Sequence, residues 1–565
     1  MKNNNNRSVS RLYYAKLIHM DKPLFRYASA LFLLLVVNTA FGQLADTSQA
    51  VPYDWFLRDP EQDHVQGVSV ERTYETLLKG QPSRAVIVAV VDTGVDIDHE
   101  DLKRVIWTNP GEIADNGIDD DKNGYIDDVH GWNFIGWKDG NVKDDTGELT
   151  REYVRLKKEF GTLPEDSVPK KQKAEFAAYQ KVKDKFEKLK AKNNQEYEFY
   201  NNLYANIAGS IDTLKVLLKT DHLTPEALEQ FTTTEPTLLF AKAFVLNIFK
   251  NIGPEGSLSD FVGQVKEARD YFGVIEQYTY NETYNPRELI GDNPSDLSER
   301  YYGNNDVKGP DPLHGSHVAG IIGADRKNNL GIKGIADNVK IMSVRMLPSS
   351  GDERDKDVAN AIRYAVDNGA QIINMSFGKS YSPGKEAVDK AVRYAEQKGV
   401  LLVHAAGNDA EDNDVEKNFP VRTYLDGKEA KNWLEIGAST WGQDENFVAS
   451  FSNYGKRSVD LFAPGVQIYS TTTNNTYKNE DGTSMASPAS AGVAAILLSY
   501  FPELTATQVK NILEKSTRKF GNLKVQKPGG KGSVEFNQLS ITGGLVNAYA
   551  AVKMAQEMKA QKLIK

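Results

Sequence analysis

Four short stretches carry residue types that together could perform acyl transfer. Asp92-Thr93-Gly94-Val95-Asp96 follows an unbroken apolar run, Ala85 to Val91. A carboxylate at the end of a buried strand can hold an imidazole in one tautomer and stabilise its cation, although many strands end in an Asp that only caps a turn. His314 opens His314-Gly315-Ser316-His317-Val318-Ala319-Gly320, whose small residues read as a helix packed closely on a sheet. A histidine at that start can act as a general base, while His317, one turn on, reads as a packing residue. Ser484 lies in Gly482-Thr483-Ser484-Met485-Ala486-Ser487-Pro488, leading into a small-residue apolar helix that ends at Tyr500. The free amides and positive field of a helix start can face an oxyanion there, and Pro488 suits the first helical turn. Asn408 ends Ala405-Ala406-Gly407-Asn408 after another apolar run, and its amide can donate to charge developing on a carbonyl oxygen. Each stretch alone has a structural explanation as a turn, a buried hydrogen bond or an N-cap. The four in one chain point to a serine nucleophile.

The order is Asp, His, Ser, with separations of 222 and 170 residues. With the flanks V-A-V-V-D-T-G, H-G-S-H-V-A-G and G-T-S-M-A-S-P, the chain resembles the subtilisin-like serine peptidases, the subtilase family, over roughly 81–145 and 288–550. The order and the asparagine donor are those of subtilisin itself. The resemblance implies an endopeptidase working through an acyl-enzyme, with Asp92 orienting the base, His314 as base and Ser484 as nucleophile. Asn408 and the Ser484 amide would form the oxyanion hole. Asn374-Met375-Ser376-Phe377-Gly378 resembles the family's substrate-binding strand, so Ser376, Phe377 and Gly378 are expected to pair with an extended protein or peptide substrate. Ala405, Ala406 and Gly407 would line the pocket for the residue before the scissile bond. Their small size leaves room for a large apolar side chain, and Phe377 would narrow the pocket upstream. Asp409 could also attract Lys or Arg, so the expected specificity is broad. A non-catalytic binding protein on the same scaffold is the rival class; all four catalytic positions being filled argues against it.

Asp119-Asp120-Asp121-Lys122-Asn123-Gly124-Tyr125-Ile126-Asp127-Asp128 places oxygen ligands at alternate positions, with a glycine where a calcium loop turns sharply. It resembles the first nine positions of an EF-hand loop, but the twelfth is His130 rather than Glu. The expectation is structural calcium on Asp119, Asp121, Asn123, Tyr125 and Asp127, completed by Asn116 or Asp128, against an acidic solvent loop. No organic cofactor is expected.

These groups need a scaffold. Apolar runs at 85–91, 339–347, 371–377, 400–406 and 433–437 alternate with helical patterns such as 357–366, 386–397 and 507–514. Strand–helix alternation with strands apolar on both faces predicts an α/β three-layer sandwich with a mainly parallel central sheet, of the subtilisin-like kind. The peptidase domain is expected over 81–550, with a helical tail at 551–565. Residues 146–287 break the rhythm and form an all-α insertion. Phe176, Tyr179, Val182, Phe186 and Leu189 step at helical spacing, as do Tyr200, Tyr204, Ile207, Ile211, Leu214 and Leu218. Asn193-Asn194 is read as a turn between them, giving an antiparallel hairpin. The insertion reads equally as a lid near the cleft or as a solvated decoration.

The 565 residues are 40% apolar and 26% charged, which excludes collagen-like and disordered classes. Lys plus Arg is 68 against 77 Asp plus Glu, a net charge of −9 with no basic stripe, so nucleic-acid binding is not expected. There are no cysteines, so disulfides and thiolate chemistry are excluded. Arg26, the apolar run Tyr27 to Val37 and the small residues Ala40 and Gly42 read as a signal peptide over 1–42, the run being well short of the ~20 residues that span a membrane. Export to the periplasm, cell surface or medium follows, without stable membrane insertion after cleavage. Residues 43–80 read as a leader, short for a folded inhibitory propeptide.

Overall fold

The computed structural model describes residues 51–253, 256–530 and 532–564. The expected signal peptide and residues 43–50 of the leader lie outside them. Up to the base-bearing helix, the elements are β1 (Val86–Asp92), β2 (Gly131–Asn133), α1 (Glu148–Phe160), α2 (Lys173–Leu218), α3 (Pro236–Ile252), α4 (Leu258–Val274) and α5 (Leu313–Gly323). Then come β3 (Val339–Arg345), α6 (Asp355–Asp367), β4 (Ile372–Met375), α7 (Lys385–Lys398), β5 (Leu401–Ala405), β6 (Trp433–Ser439) and β7 (Leu461–Pro464). The chain closes with β8 (Ile468–Thr471), β9 (Tyr477–Glu480), α8 (Thr483–Tyr500), α9 (Ala506–Lys515), β10 (Arg518–Lys519), β11 (Gly544–Leu545) and α10 (Ala548–Ala560).

Nine strands form one sheet in the order β10-β11-β7-β6-β5-β4-β1-β3-β2, parallel except for the β10–β11 pair at one edge. The apolar run of β1 serves two cores at once. Val86, Val88 and Val90 face one core with α5, α8, α9 and α10, while Ala89 and Val91 face a second with α6 and α7. Burial on both faces is why these strands read as continuous rather than alternating. The result is the expected three-layer α/β sandwich.

Both expected domain boundaries differ from the packing. Trp55, Phe56, Leu57, Val68, Val70 and Leu78 are buried in the first core, so residues 51–80 are part of the domain rather than a leader to it. These apolar residues lack periodicity because short turns, not one helix or strand, carry them inward. At the other end, Ala551, Val552 and Ala555 of α10 enter the same core. Among the described residues no helix is long and apolar enough to cross a membrane.

The chain forms two compact units, Glu187–Glu276 in one, Val51–Phe186 with Gln277 onward in the other. In the smaller, Leu203, Ile207, Ile211 and Leu214 of α2 bury against Phe244, Val245 and Ile248 of α3 and Phe261 and Val265 of α4. In the larger, Phe186 stacks on Tyr153 of α1 at 4.3 Å. The hairpin expected at Asn193-Asn194 does not form: α2 is one continuous helix of 46 residues. Asn193 is buried inside it and donates from Nδ2 to the Phe272 carbonyl of α4 at 3.1 Å. A partner from another helix thus satisfies the amide that, read locally, suggested a turn.

Candidate active site

Strand register assembles the site. β1 pairs with β4 up to Val91–Met375, and β4 with β5 up to Met375–His404. Asp92, Ser376 and Ala405 therefore follow at the carboxyl ends of three adjacent strands, where open α/β sheets bind ligands. Asp92 is fully buried; its Oδ1 accepts from the Thr93 amide at 2.7 Å and from His314 Nδ1 at 2.7 Å, and its Oδ2 has no partner among the described residues. His314 sits in the first turn of α5 with its side chain 32% exposed. The helix start can rest directly on the strand end because the next residue is glycine: a Cβ on Gly315 would lie 2.1 Å from the Gly94 carbonyl. Burial disfavours the imidazolium, but the Asp92 charge and hydrogen bond outweigh it and raise the His314 pKa. His317 is buried, with Nε2 3.1 Å from the Lys478 carbonyl and its pKa pushed down to about 4, chiefly by burial.

Every residue of α8 is buried except Ser484 and Tyr500. A helix apolar on all sides belongs in the middle of a core, and Ser484 is its opening to solvent at the N-terminal end. The helix begins earlier than expected, at Thr483, because a distant residue caps it: Asn408 Oδ1 accepts from both Thr483 N and Thr483 Oγ1 at 2.9 Å. Pro488 consequently lies in the second turn rather than the first. There its missing N–H frees the Ser484 carbonyl four residues back, and Ser376 Oγ donates to that carbonyl at 2.9 Å. Ser484 Oγ in turn donates to the Ser376 carbonyl at 3.1 Å rather than to His314. Asn374 Nδ2 donates to Ser376 Oγ at 2.9 Å, and Ser487 Oγ to Asn374 Oδ1 at 2.8 Å, closing the network below the serine. The Ser484 amide, in the first helical turn, has no intrahelical acceptor. With Oδ1 of Asn408 committed to Thr483, its Nδ2 remains to donate elsewhere.

Past β4, Ser376, Phe377 and Gly378 run on, and among the described residues no main-chain hydrogen bond engages Phe377 or Gly378. The Phe377 ring does not lie along this edge; it is 7% exposed in the second core, edge-on to His404. Phe377 thus keeps its ring in the core while its main chain has no hydrogen-bond partner among the described residues. Ala406 is buried, and Gly407 takes φ +107°, which a side chain would resist. Motif reading missed Asn418. Its carboxamide lies 2.3–2.6 Å from where a Gly378 Cβ would stand, and its Nδ2 donates to the Ala405 carbonyl at 3.1 Å.

The acidic loop is rearranged relative to expectation. Asp119 and Asp121 come together with Glu112, which precedes the motif and was outside its spacing. Glu112 Oε1 accepts from the Asp121 amide at 3.1 Å, leaving Oε2 buried without a partner among the described residues, an acceptor that a cation would satisfy. The side chains of Asn123, Tyr125 and Asp127 have contacts within and around the loop. Asn123 donates to Asp121 and Asp128, Tyr125 packs its ring against Trp132 and Tyr364, and Asp127 accepts from the Asn116 and Gly117 amides. Asp128 is buried under Tyr364, and burial pushes its pKa up to about 6. The loop closes on its own hydrogen bonds, with the Asp119 carboxylate accepting from the Asn123 and Gly124 amides.

The chemistry available to this arrangement is narrow. A serine at a helix start becomes nucleophilic when a tethered base takes its proton, and the arrangement has the parts of an α/β serine hydrolase site. Residues 83–532 match the family model described as Subtilase family, and the chain belongs to that family. It is 44% identical over 186 residues to the thermophilic serine proteinase of Bacillus sp. (strain AK1), covering 33% of this chain and 42% of that protein. It is 37% identical to subtilisin DY of Bacillus licheniformis, covering 37% of this chain and 72% of the relative. Thermitase of Thermoactinomyces vulgaris is 37% identical as well, over 42% and 75%. The chain thus spans less than half of the first relative and about three quarters of the other two.

Proposed function

We propose that the chain is an exported serine endopeptidase that cleaves extended protein segments through an acyl-enzyme, with a preference for large apolar side chains before the scissile bond. The observation that carries this reading is the Asp92–His314 hydrogen bond of 2.7 Å, beside the one residue at the start of α8 that is open to solvent. In this reading His314 keeps its proton on Nδ1, facing Asp92, and accepts the Ser484 proton at Nε2. The hydroxyl leaves the Ser376 carbonyl and attacks the substrate carbonyl carbon. Asn408 Nδ2 and the Ser484 amide receive the oxyanion, and His314 returns the proton to the leaving amine. The unpartnered backbone past Ser376 takes the substrate as an added strand. Structural calcium is part of the proposal, with Glu112, Asp119 and Asp121 supplying hard oxygen ligands. Export rests on the segment Arg26 to Gly42.

Labelling of the purified protein with a fluorophosphonate, followed by peptide mass analysis, tests the nucleophile. A single adduct on Ser484, absent in His314→Ala, is expected; no adduct at neutral pH with calcium present overturns the reading. Cleavage of a peptide library only after Asp or Glu would overturn the stated preference.

A further inference from the structure

Asp352-Glu353-Arg354-Asp355-Lys356-Asp357 is an all-charged run at the start of α6 that ought to face water, yet Glu353, Asp355, Lys356 and Asp357 are each at most 6% exposed. Buried charges require partners: Asp355 meets Lys379, Lys356 and Asp357 meet the outgoing root of the helical insertion, and the Glu353 carboxyl, left without a partner at Oε1 among the described residues, has its pKa pushed up to about 8 by burial. At the incoming root, Arg354 makes a bidentate pair with Asp145 at 2.8 and 2.9 Å, and Asp352 accepts from the Glu148 amide at 2.7 Å. Arg151 donates to the Asp352 and Glu353 carbonyls at 3.1 and 3.0 Å. At the outgoing root, Lys356 pairs with Asp292 at 2.8 Å, and Asp357 receives Arg287 and the Tyr302 hydroxyl.

The same junction holds Lys379, the residue immediately after Ser376-Phe377-Gly378. Its ammonium reaches Glu148 at 2.7 Å, Asp355 at 2.9 Å and the Glu353 carbonyl at 3.0 Å, one acceptor for each of its three protons. Its backbone makes a two-bond bridge with Phe419 at 3.0 and 2.7 Å. A segment that binds peptide by main-chain hydrogen bonds must be held extended, and Gly378 within it has no side chain to restrict it. Asn418 crowds one side of Gly378, and the next residue, Lys379, supplies the charged anchor.

We infer that Lys379 is a positioning residue for peptide binding: tied to Glu148 and Asp355, it holds Ser376–Gly378 extended, and the root of the insertion thereby belongs to the substrate-binding edge. The inference rests on the endopeptidase reading. It is tested with Lys379→Met by comparing a tetrapeptide amide, which must lie along the edge, with a single-residue ester, which does not. The tetrapeptide KM is expected to rise about tenfold more than the ester KM, with the kcat ratio between the two substrates preserved. A purely structural role would lower both activities together through the folded fraction, and equal losses on the two substrates overturn the proposal. If Lys379→Met does not fold, Glu148→Gln, which keeps an acceptor oxygen but removes the charge, decides by the same comparison. Failure of the wild-type protein to react with fluorophosphonate at Ser484 would instead indict the endopeptidase reading.

Discussion

Pro488 and Ser376 act on one acceptor, the Ser484 carbonyl, and their coupling can be measured. The helix would ordinarily supply an N–H from residue 488; proline has none, and Ser376 Oγ takes its place at 2.9 Å. Ser376→Ala is made in a Ser484→Ala background, which prevents self-digestion and keeps the carbonyl of residue 484. The change leaves two groups without partners: that carbonyl, half-buried, and the buried Asn374 amide, which donates to Ser376 Oγ at 2.9 Å. At about 1–3 kcal/mol per orphaned group, discounted at the carbonyl for solvent access, the loss is about 2–4 kcal/mol. Pro488→Ala returns the N–H, so in that background only the Asn374 amide is orphaned and the loss should shrink by about 1–2 kcal/mol. The assay is urea unfolding of the four proteins followed by tryptophan fluorescence. All six tryptophans, at 55, 107, 132, 137, 433 and 441, lie outside Glu187–Glu276, so the signal reports the unit that carries the site. Costs that add within about 0.5 kcal/mol would refute the claim that serine and proline share an acceptor.

Asn408→Ala removes the proposed oxyanion donor and the cap on Thr483; kcat for a peptide substrate should fall on the order of 10²–10³ with little change in KM, and a KM-only effect would contradict the assignment. The His314 pKa is raised above its ordinary 6.5 by Asp92, and only the neutral imidazole accepts a proton, so the acid limb of kcat/KM should lie above 6.5. Asp92→Asn removes the charge that raises it; the limb should move to lower pH while the rate drops by about 10⁴, and a stationary limb would exclude this cause. Calcium at a hundred times its Kd should stabilise the fold by about 2.7 kcal/mol, seen as a rise in Tm that chelation reverses. Glu112→Gln should diminish that rise, whereas Asp127→Asn, whose carboxylate already serves two amides, should lower the starting Tm without changing the calcium increment.

Much of the sandwich can be read from local pattern. A run such as Ala85 to Val91, apolar at every position, can only be buried on both faces, and alternation with amphipathic helices then implies a parallel sheet. The four motifs were legible for a similar reason, since a nucleophile, a base, its orienting carboxylate and an amide donor each sit in a short stretch of recognisable backbone. What could not be read is where partners far apart in the chain meet. Asn193 looks like a turn until the Phe272 carbonyl is brought to it. Thr483 becomes the first helical residue because Asn408, 75 residues earlier, accepts its amide, and this moves Pro488 into the second turn. Glu112 joins the acidic cluster across a fold in the loop that spacing does not encode.

The sharpest contrast is Asp352 to Asp357. Hydropathy assigns six consecutive charges to solvent, since an isolated buried ion is costly. The molecule buries most of them because Asp145, Arg287, Asp292 and Lys379, distant in the chain, are brought to the same place. Local pattern reports each residue's preference for water or core. The sign of that preference reverses when a partner of opposite charge arrives, and only the assembled chain says which partners do.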